Sequence, residues 1–304
     1  MTIINNESPE SYVLLDWVKK SQLDWEWLSE NPNAIDLLEK NQEKICWLTL
    51  SSNPNAMRLL EMTPSKIFWW ELSMNPNAIH LLGKNQEKIK WSWLSGNPNA
   101  IHLLEKNQEK INWAILSSNP NAIRLLEKNL EKIDWENLSS NPNAVCLLEQ
   151  NQEKIIWWEL SKNPNAVHIL EAHFVKHSLF SHMNWSALSS NPNAIHLLEQ
   201  YPENINWCRL CQNPNAIHLL EKNIEKIDWC DLSLNPNAIH LLERFPLERN
   251  EKYASFNPSI FKKVVNYVFL KKRMDIIREE LMMKCMLPRR LERFIEMGGD
   301  IDDF

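Results

Sequence analysis

Hydrophobic and polar positions recur along this chain with a constant 22-residue period. The tetrapeptide Asn-Pro-Asn-Ala occurs ten times, and its copies begin at 31, 53, 75, 97, 119, 141, 163, 191, 213 and 235. Every interval between neighbouring copies is the same except the one from 163 to 191, so one repeat carries a six-residue insertion. A fixed period of this size is typical of an array of stacked repeats.

Each repeat follows the consensus W-x-x-L-S-x-N-P-N-A-I-x-L-L-E-K-N-Q-E-K-I-x and predicts two short helices. In the repeat at 119, Asn119 is the predicted N-cap of one helix, with Pro120 at its first position and Asn129 as a left-handed stop. The residue before the repeat Trp predicts a second N-cap, because it is Asp or Asn at 24, 112, 134, 184, 206 and 228.

Neither predicted helix is long enough to be stable alone in water, so stacking between repeats must hold the chain together. The sequence therefore predicts an all-α solenoid of about ten two-helix repeats, extended as a rod on the order of 100 Å long. We expect no β-sheet between about 8 and 260. The predicted parts are a degenerate N-terminal capping unit (1–24), the repeat domain (25–260, with its insertion near 172–183) and a C-terminal helical tail (261–304). The tail predicts a long helix over about 260–286.

The predicted core of each repeat contains the Trp, the Leu three residues later, the Ala and the Ile and Leu positions. The repeat Trp occurs at 25, 47, 69, 91, 113, 135, 157, 185, 207 and 229. Because every repeat has it, we interpret this Trp as structural rather than as a base-stacking platform or a cofactor site. Five further tryptophans lie outside this register.

Composition narrows the possible functions. Only four of 304 residues are Gly, which argues against Gly-rich phosphate loops. No Ser-His-Asp set or paired-carboxylate motif stands out, so we expect no enzyme, no cofactor and no metal. The acidic balance, 39 Asp and Glu against 33 Lys and Arg, makes nucleic-acid binding an unfavoured interpretation. No apolar run approaches a membrane span, and no secretory signal is recognisable, so we expect no membrane partner and read the six cysteines as reduced intracellular thiols.

The positions that the repeat leaves free to vary are the candidate partner-binding residues. The second residue after the Ala is His80, His102, Arg124, Cys146 and His168 in five consecutive repeats, which predicts a ladder along one edge. Trp70, Trp93 and Trp158 lie at positions that vary in other repeats, and exposed tryptophans are typical interface anchors. The alternatives are an ordinary exposed ladder for the first set and filler between helices for the second.

The insertion carries His173, His177 and His182. His173 and His177 are four residues apart and would share one helix face, but no Glu completes an H-E-x-x-H motif. A metal-dependent enzyme built at this insertion is one alternative for the function. A helix extension with exposed histidines is the other interpretation.

The NPNAI, LLE and KI-x-W-x-x-LS segments over about 25–260 resemble repeat proteins of giant nucleocytoplasmic DNA viruses, the mimivirus-like group especially. The tail segments Asn257-Pro258, Pro288-x-Arg290-Leu291 and Gly299-Asp300-Ile301 resemble an ending found in that group. The resemblance implies a viral origin and a repeat fold without an assigned activity. We therefore expect a non-enzymatic scaffold for protein–protein interaction, in the host cytoplasm or the virion and not secreted, with a structural component of the virion as the alternative.

Overall fold

The computed structural model describes residues 10–177, 183–265, 267–285 and 295–297. The chain divides into two compact units, which are considered separately. The larger, Leu14–Phe261, contains the repeats and is called the repeat unit here. The smaller combines residues 1–13 with 262–304.

The first helix of each repeat begins at the repeat Trp and is called its Trp helix. It is four to six residues long in every repeat. These helices are Trp25–Glu30, Trp47–Ser52, Trp69–Met74, Trp91–Leu94, Trp113–Ser117, Trp135–Ser139, Trp157–Leu160, Trp185–Ser190, Trp207–Cys211 and Trp229–Ser233. An eleventh, Glu251–Ala254, occupies the same place without a Trp. The predicted N-cap before this helix is confirmed, because the side chains of Asp24, Asn112, Asp134, Asn184, Asn206 and Asp228 all accept hydrogen bonds from backbone N–H groups of the first turn.

The second helix of each repeat carries the Leu-Leu pair and is called its Leu-Leu helix. These helices are Ile35–Glu39, Met57–Met62, Ile79–Lys84, Ile101–Glu105, Ile123–Glu127, Val145–Gln150, Val167–His177, Ile195–Gln200, Ile217–Glu221 and Ile239–Arg244. A three-residue 3₁₀ turn then leads to the next repeat; these turns include Gln42–Lys44, Pro64–Lys66, Gln86–Lys88, Gln108–Lys110, Leu130–Lys132, Gln152–Lys154, Pro202–Asn204 and Ile224–Lys226. The all-α repeat architecture predicted from the sequence is confirmed.

The two asparagines of each NPNA segment do not cap a helix, which corrects the predicted role of Asn119. The Leu-Leu helix of that repeat begins only at Ile123, after Ala122. Asn119 instead donates its side-chain Nδ2 to the backbone oxygens of Ser95 and Asn97 in the preceding repeat, at 2.9 and 3.0 Å. The predicted left-handed stop is also wrong, because Asn129 has φ −138°.

The same bonds join every neighbouring pair of repeats. The first Asn of each NPNA segment is almost fully buried, its Oδ1 accepts the N–H of the second Asn, and that second Asn donates to the Pro carbonyl of the preceding repeat. The Ser of each Trp helix adds another link. Ser95 Oγ, for example, accepts the N–H of Asn112 at 3.0 Å. Buried polar groups are costly unless they are paired, so these bonds require a constant spacing between repeats.

The first and last repeats are joined by the same bonds, so the repeat unit closes on itself. Asn31 donates Nδ2 to the backbone oxygens of Ser255 and Asn257, at 3.0 and 3.1 Å, and Asn33 donates to the Pro258 oxygen at 2.9 Å. The Asp24 N–H donates to Ser255 Oγ at 2.8 Å. The expected open rod with two capped ends is therefore wrong, because the ten NPNA segments and the related segment at Asn257 form a ring.

The Trp helices form the inner layer of this ring. Neighbouring Trp helices pack directly against one another through most of the ring, whereas neighbouring Leu-Leu helices of the described residues make fewer contacts. In a closed two-layer ring, the layer with the closer spacing has the smaller radius. Eleven helices spaced about 8–10 Å apart form a circle about 30 Å across, which leaves an opening of about 20 Å between side chains.

The buried core lies between the two layers. The Leu of each Trp helix, the Ala just before each Leu-Leu helix and the second Leu of that helix are fully buried or nearly so, as at Leu116, Ala122 and Leu126. The repeat Trp is only half-buried, so its predicted place in the closed core is wrong. Its ring lies beneath the Lys of the following 3₁₀ turn, with Lys132 Nζ 4.6 Å from the centroid of Trp113. The same pairing recurs for Trp25, Trp47, Trp69, Trp91, Trp135 and Trp207.

Outside the repeat helices, strand β1 (Glu10–Leu14) pairs with strand β2 (Phe261–Val265) in a two-stranded sheet. Helix Tyr267–Cys285 follows. Strand β1 contradicts the expectation of no β-sheet between about 8 and 260, and β2 shortens the predicted helix over 260–286. The sequence also predicts a short helix that opens at Pro288, and this segment lies largely outside the described residues. Among the residues described, no helix combines the length and apolar character that a membrane crossing requires.

Candidate partner-binding face

Three positions of each Trp helix point away from the Leu-Leu layer: the first, second and fifth residues after the repeat Trp. The buried Leu and Ser are the third and fourth residues after it, so helical geometry places these three positions on the opposite side. We call the surface they form around the ring the inner face. It includes Trp27, Trp70, Trp93, Trp158, Tyr253 and Phe256.

The inner face exposes large aromatic side chains to solvent. Trp70, Trp93 and Trp158 are 36, 43 and 54% exposed. The rings of Trp70 and Trp93 belong to neighbouring Trp helices and contact each other, with centroids 5.5 Å apart and planes inclined at 47°. Trp158 lies four Trp helices beyond Trp70 and is not part of this pair. Exposed aromatic clusters are unusual on a surface that faces only water.

The charges of the inner face are predominantly acidic. Its six acidic residues are Glu26, Glu30, Glu71, Glu136, Glu159 and Asp231, and its three basic residues are Lys162, Arg209 and Lys252. Two of those cations already have carboxylate partners: Lys162 Nζ lies 2.7 Å from Glu159, and Lys252 Nζ lies 3.4 Å from Asp24. An acidic excess therefore remains.

Two inner-face carboxyls are held in an unfavourable environment. Partial burial raises the pKa of Glu30 above its ordinary value. Burial and then the negative charge of Glu30 raise the pKa of Glu71. Neither side chain has a hydrogen-bond or ion-pair partner among the described residues. Glu30 is exposed to solvent and yet desolvated, as expected for a group on a concave surface that protein surrounds.

The predicted ladder of His and Arg residues lies on the surface of the Leu-Leu layer that faces away from the Trp helices. We call this surface the outer face. His80, His102, Arg124, Cys146 and His168 are all exposed, on the side of their helices that faces away from the shared core. In five repeats the residue at the ladder position contacts the Glu of the preceding Leu-Leu helix: the pairs are Arg58–Glu39, His168–Glu149, His196–Glu171, His218–Glu199 and His240–Glu221, at 2.6–3.3 Å. The structure thus separates the eight predicted site residues into an outer ladder and the inner tryptophans.

The histidine-rich insertion lengthens one Leu-Leu helix to Val167–His177. The ring of His173 stacks on Trp157, with centroids 3.6 Å apart, where other repeats place a Lys over the Trp. A cavity of about 220 Å³ adjoins this pair and is also lined by Glu149, His168 and Lys176. The side chain of His177, and His182 as a whole, lie outside the described residues. The metal-dependent alternative stays a prediction.

Among the described residues, the group with metal-type ligands in reach of one another is Cys208, Asp228 and Asp231, whose ligand atoms lie within 4.8 Å. Cys211, one helical turn after Cys208, replaces the consensus Ser and accepts the Asp228 N–H in its place. Burial raises the pKa of the Cys211 thiol to about 12, so that sulfur is an inert structural group.

No protein family, curated protein or solved structure matches this chain. The resemblance to giant-virus repeat proteins therefore stays a prediction.

Sequence reasoning identified Trp70, Trp93 and Trp158 but not Glu30 and Glu71. The available signal was their position: Glu71 directly follows Trp70, and Glu30 lies three residues after Trp27 on the same face of its helix. Without knowledge of the ring, nothing in the sequence indicates that residues of different repeats converge on one concave surface.

Proposed function

We propose that this protein is a non-enzymatic repeat scaffold that binds a protein partner on the inner face of its ring. One observation carries the proposal. The inner face concentrates exposed Trp70, Trp93 and Trp158 in the layer where the helices are most closely spaced. Aromatic anchors in a sheltered, concave place are characteristic of the centre of binding interfaces.

The proposed binding mode follows from rigidity. The Asn and Ser bonds tie each repeat to its neighbours, so the inner side chains are held in place before a partner arrives. A surface ordered in advance loses little conformational entropy on binding. An opening of about 20 Å would admit a helix or an extended segment, each about 10–12 Å wide with side chains.

A giant-virus origin and a place in the host cytoplasm or the virion are part of the same proposal, supported by the repeat and tail motifs quoted above. The proposal of a scaffold without catalysis is supported by the polar residues of the consensus, which have structural roles. Asn, Ser and Lys of the repeat are engaged in joints between repeats or in contacts with the Trp rings.

The test compares two triple variants of the tagged full-length chain as baits. The first, Trp70→Ser with Trp93→Ser and Trp158→Ser, removes the inner aromatics. The matched control, Met62→Ser with Leu130→Ser and Leu247→Ser, removes exposed hydrophobic side chains elsewhere. We expect proteins retained by the unmodified chain to be lost only with the first variant, at unchanged far-ultraviolet circular dichroism. Equal retention by both variants would show that the inner face is not the binding surface.

A further inference from the structure

One sector of the inner face combines a contacting pair of tryptophans with two carboxyls that have no partner among the described residues. The contacting pair Trp70 and Trp93 occupies the third and fourth Trp helices, and Glu71 directly follows Trp70. Glu30, at the end of the first Trp helix, is close enough for its charge to act on Glu71. We call these four residues the acidic-aromatic sector.

We propose that the acidic-aromatic sector binds a lysine- or arginine-rich segment of the protein partner. This inference rests on the proposed function and names the partner's chemistry. Trp rings attract cations through their negatively charged faces, and the two carboxylates supply the opposite charge.

Within the described part of the chain, the two carboxylates of the sector are unpaired and also repel each other. On the outer face, Glu149, Glu171, Glu199 and Glu221 each contact a histidine, and Glu39 contacts Arg58 at 2.8 Å. Glu30 and Glu71 have no such partner among the residues described. Two like charges on a concave surface destabilise each other, and an incoming cation relieves that repulsion.

The Trp–Lys pairs of the repeat show the same chemistry within the chain. Lys88 Nζ lies 4.7 Å from the centroid of Trp69, and Lys110 Nζ lies 4.6 Å from that of Trp91. Those rings are already occupied. Trp70 and Trp93 are the neighbouring residues on the inner face, and no Lys of the described chain is paired with their rings. A cationic side chain from a partner would complete an equivalent contact.

The acidic character of the face favours a basic protein segment over nucleic acid. Phosphate backbones require clusters of Lys and Arg, whereas this sector presents two carboxylates. A nucleic acid bound through the same four residues would contradict the proposal.

The experiment measures the fluorescence anisotropy of a labelled nine-residue peptide of alternating lysine and serine with the full chain. The comparison probes are a peptide of alternating glutamate and serine and a nine-nucleotide single-stranded DNA. We expect only the lysine peptide to bind. Binding of the DNA through these residues, or no binding of the lysine peptide, overturns the inference.

Matched variants locate the site. Glu30→Gln with Glu71→Gln, and separately Trp70→Leu with Trp93→Leu, should each weaken lysine-peptide binding by about tenfold or more. Glu105→Gln with Glu127→Gln removes the same charge from the outer face, and Met62→Ser with Leu130→Ser removes exposed hydrophobic side chains outside the inner face. Both controls should change binding by less than about twofold, because exposed charges act weakly at a distance.

Equal weakening by the outer-face pair would show a general charge effect and would overturn the inference. Failure of this inference can be distinguished from failure of the proposed function. If the Trp variant loses its protein partner but the Glu variant retains it, the inner face binds protein and only the cationic chemistry is wrong. Thermal melts accompany each variant, so that loss of folding is not mistaken for loss of binding.

Discussion

Two joints of the ring can be compared directly: an interior joint, between the repeats at Asn31 and Asn53, and the closing joint, between those at Asn257 and Asn31. Both use the same backbone-directed bonds. Asn53 donates to the oxygens of Ser29 and Asn31 at 2.9 and 3.0 Å, and Asn31 donates to those of Ser255 and Asn257 at nearly the same distances. At both joints the following N-cap N–H donates to the Ser hydroxyl.

The side chains around the two joints differ. At the interior joint, Lys44 Nζ lies over the ring of Trp25 as in other repeats. At the closing joint, the guanidinium of Arg249 lies 4.3 Å from the centroid of Trp17, and Trp27 meets Tyr253 edge-on at 4.9 Å. The repeated bonds are therefore common to both joints, while the side-chain contacts of Arg249 and Tyr253 are specific to the closing joint.

The largest expected effect comes from deleting part of a repeat. Removing residues 97–118 takes out one full period and keeps the remaining Asn and Ser bonds in phase, so the chain should stay helical. Removing only 97–107 deletes one Leu-Leu helix, so that the Trp helices Trp91–Leu94 and Trp113–Ser117 follow each other directly, and we expect loss of cooperative unfolding. Circular dichroism melts of both deletions check this, and identical melts would contradict the nearest-neighbour description.

Loss of one ladder Asn should have the next largest effect. Asn119→Ala leaves the buried oxygens of Ser95 and Asn97 without their donor, which should lower the free energy of unfolding by about 2–4 kcal/mol. Asn31→Ala at the closing joint should cost nearly the same, because its bonds are the same. If denaturant titrations show that Asn31→Ala is almost silent, the ring is open in solution.

The side chains that are unique to the closing joint should contribute less. Arg249→Met removes the contact with Trp17 and the pairing with Glu251, at a cost of about 1–3 kcal/mol. Lys132 lies over Trp113 at an interior joint, as Arg249 lies over Trp17 at the closing joint, but it is exposed to solvent. Lys132→Met should therefore lower the free energy of unfolding by only about 0.5–1 kcal/mol. A reversed order in denaturant titrations would mean that Arg249 does not strengthen the closure.

The smallest expected effect comes from replacing Glu71, whose carboxyl has no partner among the described residues. This replacement should stabilise the folded protein, whereas the changes described above destabilise it. Because the pKa of Glu71 is raised in the folded protein, its favourable contribution is present below the ordinary value of 4.5 and is lost as pH rises through the folded value. Glu71→Gln should therefore raise the melting temperature at pH 7, and the gain should disappear below pH 4.5. Glu105→Gln on the outer face is the control, and an equal gain there would exclude a local cause.

The insertion at Val167–His177 shows how much variation a joint tolerates. Asn191 still donates to the oxygens of Ser161 and Asn163, at 3.1 and 3.2 Å, although the insertion lies between Asn163 and Asn191 in the sequence. His173 covers Trp157 in place of a Lys. The described part of the insertion extends a Leu-Leu helix, in the layer where neighbouring helices are farther apart.

The sequence by itself determined the local structure. Its 22-residue period defined the repeats, the Asp or Asn before six of the ten repeat tryptophans marked N-caps, and the Leu spacing placed the core between two short helices. These features depend on residues within one or two repeats, so the consensus sequence of the repeat is sufficient to predict them. The roles of Asn119 and Trp113 were misassigned because their partners, Ser95 and Lys132, belong to neighbouring repeats or turns.

Only the tertiary structure decided that the array is closed. Closure depends on the small rotation between successive repeats, summed over all eleven, and no single consensus position encodes that sum. The ring then assigns an inside and an outside: Glu30 and Glu71 act on each other from different repeats, while His80 and Trp70, close in the sequence, face opposite sides of the wall. The curvature of the whole array, which no single repeat determines, therefore decides which variable residues can contact the same partner.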